Sequence, residues 1–268
     1  MNPEGLTADA SGRIYVVANT SSSYSIEVFA ATPVGTLNEA PIATITGNNT
    51  GLNIPAGIAL DASGRIYVSN DGGTPSITVY AANPSGTMNE APLATISGTN
   101  TFLSDPIGLT VDGSGNIYVA NEAGSILVYP AVPALGGTLN EFPTADISGP
   151  ATTLRTPYDV ALDATGKIYV VDSTGGSGGI GAIDVFAANP SGFIAPAPLA
   201  TITGSGTGLN GPGFLMLDAA GRIYVTDAST ASILVYGANP SGTLNEAPLA
   251  TISGSNTTLL APYGIYVH

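Results

Sequence analysis

The chain has 268 residues, of which 44% are apolar and 9% charged, and its 19 acidic residues against 5 basic ones give a net charge of −14. This balance argues against nucleic acid as a partner, because phosphate binding needs clustered Lys and Arg, and it disfavours anionic membrane surfaces. Cys is absent, which excludes disulfides and thiol chemistry, and no apolar run of about 18 residues predicts insertion into a membrane.

Internal self-similarity decides the organisation of the chain, with a repeat of 50 to 55 residues. A Pro precedes a short apolar run in every copy, and the triplet Ile-Tyr-Val follows once per copy. We place the triplet at Ile14, Ile66, Ile117, Ile168 and Ile223. The repeats are approximately 2–53, 54–104, 105–155, 156–210 and 211–260, with a partial sixth at 261–268, and we expect them to form one domain.

Each repeat predicts four strands, which the second repeat illustrates in chain order. Gly57–Leu60 is apolar without alternation, as expected of a strand covered on both faces, and a short turn leads from it to the β-branched and aromatic Arg65–Val68. The third strand alternates around Thr78, and Asp184 fills this position in the fourth repeat, so the position is expected to tolerate charge. The fourth strand carries hydroxyls at Leu93–Ser97, which predicts that burial declines from the first strand to the fourth.

A four-stranded antiparallel meander cannot bury both apolar faces alone, whereas units arranged around an axis bury each other's faces. The sequence therefore predicts an all-β fold, a β-propeller of about five four-stranded antiparallel blades. The apolar segment 263–267 repeats a first strand, and we expect it to seal the ring within one chain. Two alternatives remain: the segment starts a sixth blade, or it is exchanged with a neighbouring chain. The protein is therefore expected to be either a monomer or a strand-exchanged oligomer.

The second repeat reads Pro-x-Gly-Ile-Ala-Leu-Asp-x-x-Gly-x-Ile-Tyr-Val-x-Asn from Pro55 to Asn70, followed by Ile-x-Val-Tyr. This pattern resembles the NHL-type β-propeller repeat, and the resemblance covers essentially the whole chain. It departs from that family through a long insert before the fourth strand, as in residues 239–248. The resemblance implies a propeller fold and a role as a binding scaffold, and it implies no reaction.

Strand direction sorts the loops onto two faces. We call the face with the loops between second and third strands and the inter-repeat loops face X, and we call the opposite face Y. The Asp-x-x-Gly turns and the long inserts are predicted on face Y, where they are nearly uniform. The loops of face X differ in length and content, so this face is predicted to meet a protein or carbohydrate partner.

The turn acids of face Y are expected to cap their own turns, and the bases just after them to pair with nearby carboxylates. The acids are Asp9, Asp61, Asp112, Asp163 and Asp218, and the bases are Arg13, Arg65, Lys167 and Arg222.

Polar residues at the ends of second strands, together with one base in an inter-repeat loop, are the candidate ligand-binding residues on face X. They are Asn70, Asp71, Asn121, Glu122, Asp172, Asp227 and Arg155. Oxygen-rich rings of this kind can hold Ca²⁺, and Arg can bind a carboxylate through two parallel hydrogen bonds. Asn and Asp are also the usual residues that begin a turn, so a purely structural role stays open.

Catalysis has few groups available, because His268 is the single His and no nucleophile elbow or phosphate loop occurs. We therefore expect a non-enzymatic binding or structural propeller. The alternatives are a divalent-metal hydrolase or lactonase, although no unique acid stands out in the first strands, and a fragment or engineered version of a longer bacterial repeat protein. The Lys-poor composition is typical of an extracellular or periplasmic protein, although Met1–Glu4 lacks the basic start of a signal peptide.

Overall fold

The structure is a computed structural model that describes residues 2–20, 23–35, 38–133 and 136–267, and nearly all of its secondary structure is β-strand. The helices of the described residues are two 3-10 turns, Ser177–Gly179 and Ser255–Thr257. Neither is long or apolar enough to cross a bilayer.

Five sheets follow the five repeats, and each runs as an antiparallel meander through the four predicted strands. The first contains β1 (Asn2–Ala8), β2 (Ile14–Asn19), β3 (Tyr24–Phe29), β4 (Ala43–Thr46) and β8 (Gly86–Met88). The second contains β5 (Pro55–Leu60), β6 (Ile66–Asn70), β7 (Ser76–Tyr80), β9 (Ala94–Ser97) and β13 (Gly137–Leu139). The third contains β10 (Pro106–Val111), β11 (Ile117–Asn121), β12 (Ser125–Tyr129), β14 (Ala145–Ser148) and β18 (Gly192–Ile194).

The last two sheets repeat the same order. The fourth contains β15 (Pro157–Leu162), β16 (Ile168–Asp172), β17 (Ala182–Phe186), β19 (Ala200–Thr203) and β23 (Gly242–Leu244). The fifth contains β20 (Pro212–Leu217), β21 (Ile223–Asp227), β22 (Ser232–Tyr236) and β24 (Ala250–Ile252). This arrangement confirms the all-β fold, a β-propeller of five blades.

The chain divides into two compact units. Unit 1 is Met1–Ile117 with Pro130–Phe142, and unit 2 is Tyr118–Tyr129 with Pro143–His268. The first and second sheets lie in unit 1, and the fourth and fifth lie in unit 2.

Neighbouring sheets bury each other's apolar faces. In unit 1, Val17 and Ile45 of the first sheet share a cluster with Ile66 and Tyr80 of the second. In unit 2, residues of the fourth and fifth sheets form an equivalent cluster. Removing this apolar area from water stabilises the fold at about 25 cal/mol per Å², and no sheet achieves it alone.

The sequence had indicated that burial declines from the first strand of a repeat to the fourth. The structure shows no such decline. The middle strands β6 and β7 are buried at every position, whereas β5 is only half-buried at both ends of its apolar run. The fourth strand β9 alternates, with Ala94 and Ile96 buried. The outer strands are buried because another segment covers them, namely the insert of the following repeat.

Each insert from the second repeat to the fifth contributes a fifth strand to the preceding sheet. In the first sheet β8 lies parallel to β4, with Gly86 opposite Ala43 and Met88 opposite Ile45. The same register joins β13 to β9, β18 to β14 and β23 to β19. The prediction of four-stranded blades was therefore incomplete, because the insert looked like a loop in the sequence.

An asparagine after three of the four added strands fixes the insert to the preceding inter-repeat loop. The Asn140 Oδ1 accepts a hydrogen bond from the Asn100 backbone N at 2.8 Å, and the Asn100 Nδ2 donates to the Asn140 backbone O at 3.2 Å. Asn89 accepts from Asn49 in the same way at 2.9 Å. We call this interaction the junction contact. Since inter-repeat loops belong to face X, the inserts are not confined to face Y, and that prediction was wrong.

The partial sixth repeat does not form the predicted sealing strand. Residues 261–267 are described and belong to none of the sheets, while His268 lies outside the described residues. In every complete repeat the first strand pairs with its own second strand, as β5 pairs with β6.

The junction contact makes a glycine necessary at the start of three inter-repeat loops, at Gly47, Gly98 and Gly204. Gly98 has φ +115°, and a Cβ added there would lie 2.6 Å from the Asn140 Cγ. We expect Gly98→Ala to lower the free energy of unfolding by about 1–3 kcal/mol, from backbone strain and loss of the contact. Urea denaturation measures this value.

Gly113→Ala is the matched control, because nothing lies within 4 Å of a Cβ at that position. Four of the five repeats already carry Ala at the equivalent position. An equal loss of stability in both variants would contradict the role given to the junction contact.

Candidate functional site

The turn acids of face Y hold their own turns together, as predicted. The Asp61 Oδ1 accepts from the backbone N of Ser63 and of Arg65, each at 2.9 Å, and Oδ2 accepts from the Arg65 Nε at 2.7 Å. Burial raises the pKa of Asp61, but the hydrogen bonds from Ser63 and Arg65 outweigh it and lower that pKa to about 2.

The same network recurs around face Y with small changes. Arg13 and Arg222 pair with their own turn acids at 2.7 and 2.6 Å. In the third repeat the Asn116 Nδ2 donates to the Asp112 Oδ2 at 2.8 Å, so an amide takes the place of the guanidinium. In these four turns the acid is therefore paired with a residue of its own turn.

Four candidate residues of face X are buried and hold loops. They are Asn70, Asn121, Asp172 and Asp227, each at most 2% exposed. The Asp172 Oδ2 accepts from the Arg155 backbone N at 2.6 Å, and the Asp227 Oδ2 accepts from the Asn210 backbone N at 2.7 Å. Three of them, Asn70, Asp172 and Asp227, each fix an inter-repeat loop to the end of a second strand. This is a structural role, which the sequence analysis had left open.

The other three candidates are more accessible. Asp71 and Glu122 are half-buried, and Arg155 is exposed. Burial raises the pKa of Asp71, and the neighbouring carboxyl of Asp105 raises it further. Sequence reasoning had missed Asp105 as a partner of Asp71. The described residues contain no group of three or more His, Cys, Asp or Glu that could hold a metal ion.

A groove on face X surrounds the base of Arg155. Its volume is about 580 Å³, and its lining residues are Ala123, Gly124, Gly149, Pro150, Thr153, Leu154, Arg155 and Gly176. All of them belong to unit 2. Three of the eight are glycines, so much of the wall is exposed backbone. The backbone of Arg155 is held by Asp172, whereas its guanidinium forms no ion pair with any described residue.

The groove lies where the repeat pattern is broken. At the junction between the third and fourth repeats, Ala195 stands where other inserts have Asn. A Cβ at Gly149 would lie 3.3 Å from the Ala195 Cβ, so the shorter side chain still packs there, but it cannot make the junction contact. Pro150 follows Gly149, and Arg155 occupies the position that Asn53, Ser104 and Asn210 hold in other repeats.

Two buried acids of unit 2 were not recognised from the sequence as unusual. Asp159 lies on the first strand β15 at the position of Gly57 and Gly108, contrary to the statement that no unique acid stands out there. It accepts from the Leu215 backbone N at 2.9 Å, and burial raises its pKa to about 7. The signal for it was the replacement of a repeated Gly by a charged residue.

Asp184 occupies the third-strand position that was expected to tolerate charge, and this expectation was wrong. Its side chain is fully buried and accepts from the Thr201 Oγ1 at 2.6 Å, while Oδ2 has no partner among the described residues. Burial raises the pKa of Asp184 to about 6. The third strand is covered on both faces, so alternation in the sequence did not indicate an exposed face.

Comparison with known proteins identifies the fold alone. No family model and no curated protein sequence matches the chain. The PQQ-bound aldose sugar dehydrogenase from Streptomyces coelicolor is similar in structure, with a TM-score of 0.58 and 14% identity over 90% of this chain and 78% of that one. The WD40 β-propeller domain of Doa1 is also similar, with a TM-score of 0.57 and 11% identity over 94% and 69%.

The chain is thus a β-propeller by architecture. One of these similar structures is an enzyme and the other is a WD40 domain, so the fold does not decide between catalysis and binding.

The buried acids make stability depend on pH. Because the folded-state pKa of Asp159 lies near 7 and its ordinary value is 3.8, the folded protein binds more protons between these values than the unfolded chain. Its stability should therefore fall as the pH rises from about 4 through 7, by at most about 4 kcal/mol from this residue.

Asp159→Asn retains an oxygen acceptor for the Leu215 backbone N and removes the ionisation. We expect this variant to lose less stability than the parent between pH 4.5 and pH 8, as measured by thermal unfolding at both pH values. Asp163→Asn on face Y is the control. Identical pH profiles for the parent and Asp159→Asn would show that Asp159 ionises at its ordinary pKa.

Proposed function

We propose that the protein is a non-enzymatic binding propeller that holds an acidic carbohydrate in the face X groove around Arg155. One observation carries the proposal: the single base outside the turn slots of face Y projects from an inter-repeat loop that lines a groove. Arg13, Arg65 and Arg222 are already paired with turn acids. The guanidinium of Arg155 is the one available for a ligand carboxylate.

The charge of the chain makes this arginine distinctive. With a net charge of −14, the surface repels anions in general, so an anionic ligand needs a local positive group. A guanidinium presents a planar set of donors that matches a carboxylate with two parallel hydrogen bonds. The fixed backbone of Arg155 limits the conformational freedom that binding must remove, since its N–H is held by Asp172.

The size and walls of the groove favour a sugar over a protein partner. A volume of about 580 Å³ lies within the usual range of small-ligand pockets, about 300–1,000 Å³. A stable protein interface buries about 800 Å² on each partner, far more than this groove offers. Three glycines, Gly124, Gly149 and Gly176, leave the lining free of side chains at these positions, so a sugar ring can approach the backbone closely there.

The remaining parts of the proposal concern family and location. We propose an NHL-type propeller of bacterial origin that acts outside the cytoplasm. The repeat pattern from Pro55 to Asn70 supports the family, and the Lys-poor composition supports the location.

Calorimetric titration with an oligosaccharide of uronic acids tests the ligand class. We expect Arg155→Ala to weaken binding at least tenfold, in line with the loss of a charge-assisted hydrogen bond of about 1.5–3 kcal/mol. Raised salt should weaken binding by the parent protein. A neutral oligosaccharide of the same length should bind to the parent protein and to Arg155→Ala with equal affinity.

Arg222→Ala is the matched control, because it removes the same charge from an exposed arginine on face Y. An equal loss of affinity in the two variants would show that only the net charge of the protein matters, and would contradict the proposed site. Binding that requires Ca²⁺ and is unaffected by Arg155→Ala would contradict the proposed site. Turnover of the oligosaccharide would contradict the non-enzymatic part of the proposal.

A further inference from the structure

Two exposed phenylalanines contact each other at the junction between the second and third repeats. The ring centroids of Phe102 and Phe142 lie 5.4 Å apart and the ring planes meet at 63°, which is an edge-to-face contact. Phe102 is 40% exposed and Phe142 is 56% exposed. Both belong to unit 1, Phe102 in the inter-repeat loop and Phe142 two residues after the junction residue Asn140. We call these two residues the aromatic pair.

The repeat pattern accounts for neither ring. Phe102 has φ +61°, and the equivalent position is left-handed in the other junctions as well, with glycine in two of them, Gly51 and Gly208. A side chain in this conformation brings its Cβ close to a carbonyl oxygen, a strain that glycine avoids. Phe142 stands where the other four inserts carry alanine. A strained aromatic residue that leaves much of its ring in water, beside a second exposed ring, points to a ligand rather than to folding.

The surroundings of the aromatic pair are acidic. Unit 1 contains ten acidic residues and two basic ones, and both basic residues are paired with turn acids on face Y. Glu141 is exposed and directly precedes Phe142, and Asp105 is exposed in the same loop as Phe102. The carboxyl of Asp105 also lies close enough to Asp71 to raise the pKa of that residue. A surface of this charge attracts cations and repels anions.

We propose that the aromatic pair is a second binding site, which takes an arginine-containing peptide segment of a partner protein. A guanidinium is attracted to the face of an aromatic ring and can bind a neighbouring carboxylate through its N–H groups at the same time. Aromatic residues and Arg are also the residue types that protein interfaces favour. The groove around Arg155 suits an anion and the aromatic pair suits a cation, so the charge of the ligand separates the two sites.

Fluorescence anisotropy with a labelled peptide of alternating Arg and Gly tests the proposal. We expect Phe142→Leu to raise the dissociation constant about two- to fivefold, because leucine is apolar but lacks the aromatic face, and this is the loss expected for one exposed cation–π contact. A peptide with citrulline in place of Arg has nearly the same shape without the charge, and it should bind at least tenfold more weakly.

Three results of this experiment would overturn the proposal. They are no binding of the Arg peptide by the parent protein at millimolar concentration, equal binding of the Arg and citrulline peptides, and equal binding by the parent protein and Phe142→Leu. Binding of a neutral oligosaccharide that is lost in Phe142→Leu, without binding of the Arg peptide, would show that the rings stack on sugars instead.

Restoring the residues of other repeats separates binding from folding. The double variant Phe102→Gly with Phe142→Ala should keep the melting temperature of the parent protein, since other repeats carry these residues there, while its affinity for the Arg peptide should fall at least tenfold. A large drop in its melting temperature would show that the pair serves folding, and would contradict the proposal.

The acidic residue beside the pair has a matched control in the fifth insert. Glu141→Gln should weaken binding of the Arg peptide, because it removes the carboxylate next to Phe142. Glu246→Gln removes the equivalent exposed acid beside Ala247 and should leave the affinity unchanged. An equal loss of affinity in both variants would show that the peptide responds to the net charge of the protein and not to this site.

Discussion

The rest of the structure depends on one interaction, the pairing of each insert with the outer strand of the repeat before it. A four-stranded meander leaves its fourth strand as an edge, and exposed edges invite uncontrolled pairing with other chains. Here β8, β13, β18 and β23 cover four such edges in parallel register. The repeats are thereby joined through backbone hydrogen bonds as well as through their apolar faces.

This interaction also explains where the face X groove forms. At three junctions an Asn side chain fills the space beside the inter-repeat loop, but Ala195 lacks the amide needed to do so at Gly149. The same loop carries Pro150 and Arg155, so loss of the internal contact and gain of a free cation coincide in one place. A nearly symmetric scaffold thus acquires one distinct surface through a few substitutions, without a change in the strands beneath.

The repeat period, the four main strands and the propeller fold followed from the sequence, because they depend on local periodicity that each copy shows separately. The turn networks followed too, since Asp61 and Arg65 interact within four residues. The added strand at Gly86–Met88 did not, because its partner lies more than 40 residues earlier and three residues of Gly-Thr-Met carry no strand signal. The sequence pointed to Arg155 but not to the groove, and it gave no warning that Asp184 would be buried, because burial depends on the packing of neighbouring sheets.

Hydrogen–deuterium exchange of the outer strands in the parent protein tests the central claim most directly. If inserts protect the edges they cover, amides of β9 and β19 should exchange at least tenfold more slowly than the equivalent amides of β24. Equal exchange in covered and uncovered outer strands would show that the inserts do not hold the repeats together, and would contradict the account.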